Sequence, residues 1–518
     1  MNRLSSFVLD QWFEGQAPFR ALVNPATDET VAETSSNGMD MQAVLDHARS
    51  IGGPALRALT FAERGALLKS WSKALYEARE HLLDVAMINC GSTRGDAKFD
   101  VDGATGTLSY YANLGKQLGD AKILVDGESE QLTRNSARFH GKHIRVPTRG
   151  AAVHIGAFNF PAWGTFEKAA VSILAGVPVV TKPATSTAWV TYEMVKVLVE
   201  AQLIPPGVFQ FIAGSPGDLM EKLGPQDVVA FTGSADTGAK LRAMAPCVAG
   251  STPINVEADS LNALVIGPDV ERGSGLWHWV RNSIVLEMTQ KAGQKCTAIR
   301  RVVVPVDLAD ALIEDLGDEL SRITIGDPSS EGVRMGPLND RAQQADYRKG
   351  VAELAAEASI VYGDPESVDA KGVEPGVGAF ASPILLRCEA PLEASAIHAR
   401  EVFGPVSTLC VYDGSVEQAA AIVAKGQGML ASTLATSDRK FGSALTMELA
   451  AWNGRVMWVD GKVADQATPH GMVLPNLNHG GPGRAGGGAE LGGLRGLEFY
   501  MRRVAVQGNR GLLDKTLG

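Results

Sequence analysis

The sequence predicts an α/β protein with two doubly wound, mainly parallel sheets, and three observations carry that prediction. Between residues 151 and 232, apolar runs of strand length alternate with segments of helix length. After Glu257 the alternation begins again, which sets a second α/β domain after the first. Across 131–149, QLTRNSARFHGKHIRVPTR, a short-strand pattern breaks away from the helical stretch before it.

Near the N-terminus, residues 24–36 (NPATDETVAETSS) alternate polar and β-prone side chains and predict a solvated hairpin. Residues 40–52 and 60–89 place apolar side chains three and four apart, which predicts amphipathic helices. The regular section follows. Residues 151–158 predict a buried strand, 163–175 a helix, 177–181 a second strand, 186–202 a second helix and 208–213 a third strand behind Pro205 and Pro206. Residues 215–223 (SPGDLMEKL) predict a further helix and 228–232 a fourth strand. Ligands on such sheets sit beyond the carboxyl ends of the strands. The second alternation runs through 261–267, a helix over 275–291, the strand RRVVVP, a helix over 307–320, the segment ITIGDP, a helix over 342–356, and strands near Ile384 and Val406. Between Gly480 and Gly493 eight of fourteen residues are glycine, which leaves a flexible linker, a phosphate cradle and a packed loop all open; a strand-like EFYMRRVAVQG follows.

Composition narrows the class. A formal net charge of -10 leaves no basic surplus to displace counterions from a phosphate backbone, so no nucleic-acid partner is expected. Five cysteines, an odd number without a CxxC, predict free thiols and a cytoplasmic chain. The opening apolar run is broken by Asp10 and Glu14, so no secretory signal is expected. The longest apolar stretch, 169–181, falls short of the ~20 residues of a membrane helix and contains Gly176 and Pro178, so no membrane span is expected.

Cys296 lies in QKAGQKCTAIR with Lys291, Lys295 and Arg300 close in sequence. A positive neighbour raises the thiolate fraction of a cysteine, making Cys296 a candidate nucleophile, whereas an isolated cysteine is otherwise a small hydrophobe. Asn159 follows the first predicted strand and is either an oxyanion donor or an Asx-turn cap. Lys182 ends the second strand, where a ribose or phosphate can be held. Gly233 and Ser234 turn the fourth strand into a helix whose N-terminus faces a phosphate, although the run is neither GxGxxG nor a Walker loop. Glu257 and Asp259 are two carboxylates, each a general base or a helix cap. Glu167 and Lys168 predict an ion-paired helix surface. The nine histidines show no HExxH or paired ligand spacing, so no metal site is expected.

In order along the chain stand FNFPAW, KPA, FTGS, a glutamate, GQKCTA, EVFGPV and AELGG. This succession resembles the aldehyde dehydrogenase superfamily over essentially the full length. The details NVEADSLN (255–262), GQKCTAIRR (293–301) and HGGPGRAGGGAELGGLRG (479–496) resemble a narrower branch, which oxidises CoA-linked semialdehydes after aromatic ring opening and is related to the dehydrogenase domain of phenylacetate ring cleavage.

The resemblance implies the aldehyde dehydrogenase fold: a Rossmann-like coenzyme domain from 1–130 and 149–258, an α/β catalytic domain from 259–470, and a β oligomerisation arm from 131–148 and 483–518. It implies a homo-oligomer, a dimer before a tetramer. Cys296 matches the nucleophile, Asn159 the oxyanion-hole amide, Glu257 the base that activates water, and Lys168 and Glu490 the groups that relay its proton. Lys182, Thr185, Gly233, Ser234, Glu401 and Phe403 match coenzyme-binding positions. Thr185 stands where many NAD-using relatives carry glutamate, which implies NADP, with NAD as the alternative. Two departures stand out: Glu257-Ala258-Asp259-Ser260 replaces Glu-Leu-Gly-Gly, and Glu167 replaces an aromatic, against a tight apolar tunnel. The implied reaction is NADP-dependent oxidation of a small-molecule aldehyde, CoA-linked, to its acid. A CoA-acylating dehydrogenase generally lacks the base that Glu257 supplies; a thioester hydrolase would use Cys296 and Glu257 without redox chemistry. A silent homologue is disfavoured by retention of Asn159, Cys296, Glu257 and Glu401.

Overall fold

The computed structural model describes residues 2–517 and contains two seven-stranded sheets. In the first, the order is Ile254–Glu257, Val228–Thr232, Ala152–Ile155, Val179–Lys182, Phe209–Phe211, Ser6–Val8 and Gln11–Phe13. Its first five strands are parallel. The two N-terminal strands add antiparallel. These two have no counterpart in the sequence-based expectation, because Asp10 interrupts their apolar pattern. Asp10 is the turn residue between them, with φ 60, and its carboxylate accepts from the Gly207 N–H at 2.8 Å.

Helix Phe61–Glu77 opens on a capping box, Thr60 with Glu63, and packs its Trp71 edge-on against Phe166 and Phe209, whose rings stack with centroids 5.9 Å apart. Helix Trp163–Ala175, buried along nearly its whole length, belongs to this core. Its first N–H groups are capped from a distance: Asp100, on helix Arg94–Leu118, accepts from Ala162 at 3.3 Å and Trp163 at 2.7 Å. That cap fixes the turn bearing Asn159.

The second sheet runs Ser359–Tyr362, Ile384–Cys388, Val406–Tyr412, Arg301–Pro305, Ala263–Ile266, Met429–Ala435, Asn453–Val459. All but the first strand are parallel. A third sheet pairs Ser136–Pro147 with Met501–Asn509, antiparallel from Met501↔Pro147 to Asn509↔Phe139, so residues far apart in sequence form one ribbon. No described helix is long and apolar enough to cross a membrane.

Several sequence-based expectations are corrected. The helix expected over 215–223 is a single 3-10 turn, Leu219–Lys222, because Pro216 and Gly217, the latter at φ +51, break its first half. ITIGDP forms isolated bridges rather than a strand. The hairpin placed at 24–36 is Arg20–Val23 with Thr30–Thr34, residue 24 beginning the turn. For the glycine-rich segment, left open in sequence, the packed-loop alternative holds: it is a hairpin, Asn478–Gly481 with Gly488–Leu491. It lies against the strand that carries Glu257: Ala258 N–H donates to Ala485 O at 3.1 Å, and a Cβ on Gly486 would stand 2.1 Å from Val256 O.

Candidate active site

The parallel strands of the first sheet end at a cleft lined by Asn159, Glu167, Glu257, Cys296 and His479 among others. Cys296 is delivered by a tight left-handed turn in which Lys291, Ala292 and Gly293 have φ of 53, 51 and 68. Gly293 is required there on two counts, since a Cβ would also lie 2.3 Å from Gly404 O. Asn262 then pins the backbone, its amide donating to Cys296 O at 2.8 Å and Ala298 O at 2.9 Å. Asn159 donates one amide hydrogen to Gln294 O at 3.0 Å, which orients the side chain and leaves its second hydrogen for the cleft.

The basic residues flanking Cys296 in sequence are turned elsewhere, which corrects the expectation that they raise its thiolate fraction. Lys295 is ion-paired with Glu287 at 2.8 Å, Lys291 sits 4.8 Å over the Phe160 ring, and Arg300 faces Glu401 at 3.5 Å. Burial and the Glu257 carboxylate push the Cys296 thiol well above its ordinary range. The basic side chain that does reach the sulfur is His479: its Nε2 lies 4.0 Å from Cys296 Sγ and 3.2 Å from Glu257 Oε2. Sequence reasoning gave His479 no role, although it opens the HGG run and sits opposite Glu490 in the hairpin.

Of the two carboxylates in NVEAD, Glu257 faces Cys296, while Asp259 accepts from the Ala235 N–H at 3.0 Å and holds a helix N-terminus. Burial opposes charge on Glu257, yet His479, Lys168 and the Cys296 hydrogen bond outweigh it and bring the carboxyl down to about 2. For His479 burial likewise opposes charge, and Glu257, Glu167 and Glu490 raise its pKa. Glu167 and Lys168 are not a surface pair. Lys168 is 3% exposed and bridges Glu490 at 2.6 Å and Glu167 at 3.4 Å, and burial pushes Glu167 up to about 7. Asn255 donates to the other Glu490 oxygen at 2.8 Å, so the hairpin is locked to the Glu257 strand. Glu257, Cys296 and His479 place three atoms of metal-ligating type within 4.8 Å of one another, a grouping that sequence spacing does not reveal.

The buried Lys295–Glu287 pair, 1% and 0% exposed at the side chains, anchors the Cys296 loop to helix Gly275–Thr289. Glu287→Ala would strand a buried ammonium, an expected loss of about 3–5 kcal/mol. Denaturant unfolding of this variant against wild type checks it; an unchanged midpoint would mean that Lys295 finds solvent.

Residues 12–506 match the aldehyde dehydrogenase family. The chain belongs to that family. This aldehyde dehydrogenase is 43% identical, over 480 residues and 93% of each chain, to 3,4-dehydroadipyl-CoA semialdehyde dehydrogenase of Aromatoleum evansii. It is 26% identical over 392 residues, 75% of this chain and 76% of the other, to the NADP(+) succinate-semialdehyde dehydrogenase GabD of Escherichia coli K12. The NAD-dependent aldehyde dehydrogenase from Sinorhizobium meliloti shares the fold, with a TM-score of 0.84 at 21% identity, covering 98% of this chain and 95% of that one.

The residues of this aldehyde dehydrogenase fit a nicotinamide dinucleotide. Thr232 Oγ1, at the carboxyl end of its strand, is buried without a hydrogen-bond partner, and Glu401 Oε1, ion-paired with Arg300 Nε at 3.5 Å, accepts no hydrogen bond. Phe403 packs edge-on against Phe158, with centroids 5.8 Å apart. Lys182 ends its strand with Thr185 Oγ1 3.5 Å from its Nζ; burial, and then the charge of Arg20, lower it to about 8. At the turn holding Gly233 and Ser234, three N–H groups are already satisfied within the chain, Gly233 by Glu257 O at 3.1 Å, Ala235 by Asp259 and Thr237 by Ser234 at 3.3 Å.

Proposed function

We propose that the chain oxidises a CoA-linked semialdehyde, 3,4-dehydroadipyl-CoA semialdehyde in benzoate breakdown, to the carboxylic acid, with NADP as coenzyme. The observation that carries this reading is the convergence of Cys296, Asn159 and Glu257 in one cleft, in a chain 43% identical to an enzyme named for that semialdehyde. Cys296 attacks the aldehyde carbon, and the oxygen that becomes negative is held by the free Asn159 amide hydrogen and the Cys296 N–H. Bound coenzyme supplies the hydride acceptor. Lys182, Thr185, Gly233, Ser234, Glu401 and Phe403 hold it. Glu257 then takes a proton from the water that releases the acid, and the Lys168–Glu490 pair carries that proton away from the cleft. The 131–148 and 483–518 segments serve as the arm of a homodimer.

The substrate assignment is tested by kcat/KM for CoA-linked and free semialdehydes of matched acyl length. A preference of tenfold or more for the CoA-linked form, roughly one contact of about 1.4 kcal/mol, is expected. Equal values would remove CoA from the recognition.

The coenzyme assignment rests on Lys182, Arg20 and Thr185. A glutamate at 185 would face the 2′-phosphate of NADP, and like charges ~4 Å apart repel by roughly 4 kcal/mol at an effective dielectric near 20. Thr185 is neutral, Lys182 Nζ lies 3.5 Å from its hydroxyl, and the charge of Arg20 reaches Lys182. Thr185→Glu is therefore expected to reverse a wild-type preference for NADP. With burial lowering Lys182 to about 8, kcat/KM for NADP should also fall as pH rises through that value, since the free enzyme loses a charge that favours phosphate. A wild type that prefers NAD would show that these groups do not discriminate.

A further inference from the structure

His479 lies in the cleft with the nucleophile and the base, and neither the family resemblance nor the proposed reaction gives it work. Its Nε2 is 3.2 Å from Glu257 Oε2 and 4.0 Å from Cys296 Sγ, so one nitrogen faces both reacting groups. The ring is 6% exposed, which keeps water from screening its charge. We propose that His479 is a third catalytic residue, the imidazolium partner that makes the Cys296 thiolate attainable in a buried cleft. This rests on Cys296 being the nucleophile.

Without such a partner the site works against itself. The thiol is buried beside a carboxylate, and both effects disfavour a second anion. The charged groups facing His479 are Glu257 from strand Ile254–Glu257, Glu167 and Lys168 from helix Trp163–Ala175, and Glu490 from the paired strand Gly488–Leu491. Lys168 is in direct contact with Glu490 and Glu167 and acts on Glu257 only from a distance, so His479 is the basic side chain that touches the Glu257 carboxylate. At rest burial and Glu257 favour the protonated thiol, while Glu257, Glu167 and Glu490 together outweigh burial in favouring a protonated His479.

The activating step conserves charge. The S–H bond breaks, its electron pair stays on sulfur, and its proton passes to the Glu257 carboxylate, which lies within 4.8 Å; the transfer is uphill, since the cleft holds that carboxyl low and the thiol high, and attack of the sulfur on the aldehyde carbon draws it forward. What remains is a neutral carboxylic acid, an imidazolium and a thiolate. The neutral acid is a weaker acceptor, and the Nε2–H turns to the sulfur anion. Once the sulfur has formed its bond to carbon the proton on Glu257 must leave before the base can act on water, and the Lys168–Glu490 contact borders the same carboxylate.

The primary readout needs neither substrate nor coenzyme. The rate of iodoacetamide alkylation at Cys296, located by peptide mass, is measured against pH in wild type, His479→Gln, His479→Phe and His479→Lys. An opposite charge within ~4–6 Å shifts a pKa by one to three units, so Gln and Phe should slow alkylation at neutral pH by about 10- to 1000-fold and move the profile to higher pH. Lysine, which restores a cation, should recover part of the loss. Coenzyme binding followed by tryptophan fluorescence controls for folding. Unchanged alkylation profiles in folded Gln and Phe variants would overturn the proposal. If Cys296 alkylation depends on His479 but Cys296→Ala still oxidises aldehyde, the nucleophile assignment fails instead, and the two failures are distinguishable.

Discussion

Cys296→Ala is expected to stop reduction of the coenzyme, by roughly 10⁴-fold or more, while leaving coenzyme binding intact. A nucleophile that carries the substrate covalently cannot be replaced by its neighbours, so its loss removes the whole acylation route. Alanine should cost little structurally. The backbone at this position is held by Asn262 through Cys296 O and by the left-handed turn over 291–293, neither of which uses the sulfur. Rates are read from the absorbance of reduced nicotinamide, and binding from quenching of tryptophan fluorescence. Substantial turnover by the variant would mean that sulfur does not carry the acyl group.

Glu257→Gln is expected to lower the steady rate by about 10²- to 10⁴-fold and to leave a burst of one equivalent of reduced coenzyme. Glutamine keeps the shape of the side chain and can still meet His479, but it cannot accept a proton from water. Acylation survives for a reason visible in the cleft. Without the carboxylate the strongest influence favouring a protonated His479 is gone, leaving only Glu167 and Glu490 against burial, and a neutral Nε2, 4.0 Å from the sulfur, can take the thiol proton itself and restore the same ion pair. Rapid-quench kinetics with intact-protein mass should show the acyl group accumulating on Cys296. If burst and steady rate fall together, Glu257 is indispensable to acylation as well. Asp259 is not a substitute, since its carboxylate holds the Ala235 N–H at a helix start.

The sheet strands between 151 and 232 were legible because each is a short apolar run bounded by Gly or Pro. Helix 163–175 was legible for the same reason, ending at Gly176 with φ 94. Helix Arg94–Leu118 was not. Gly95, Gly103, Gly106 and Gly115 lower its helical signal, and Gly103 is there because a Cβ would stand 2.2 Å from the Trp163 ring, a constraint set by a distant residue. Charge was misread in the same way. Lys295 adjoins Cys296 in sequence but points to Glu287, and Glu167 with Lys168 looks like a helix surface until Glu490 arrives from the C-terminal hairpin. His479 escaped notice because what gives it meaning, 3.2 Å from Glu257, is a contact made only in the folded chain. Thr185 and Lys182 were adjacent in both senses, since a strand end and the turn after it stay together.

One measurement tests the central claim most directly: the stoichiometry of products formed from a CoA-linked semialdehyde, with reduced coenzyme followed by absorbance and organic products by mass spectrometry. The account predicts one reduced coenzyme for each carboxylic acid formed, with the CoA thioester of the substrate still intact. Release of CoA thiol without reduction of coenzyme would contradict it and make the Cys296–Glu257 cleft that of a thioester hydrolase.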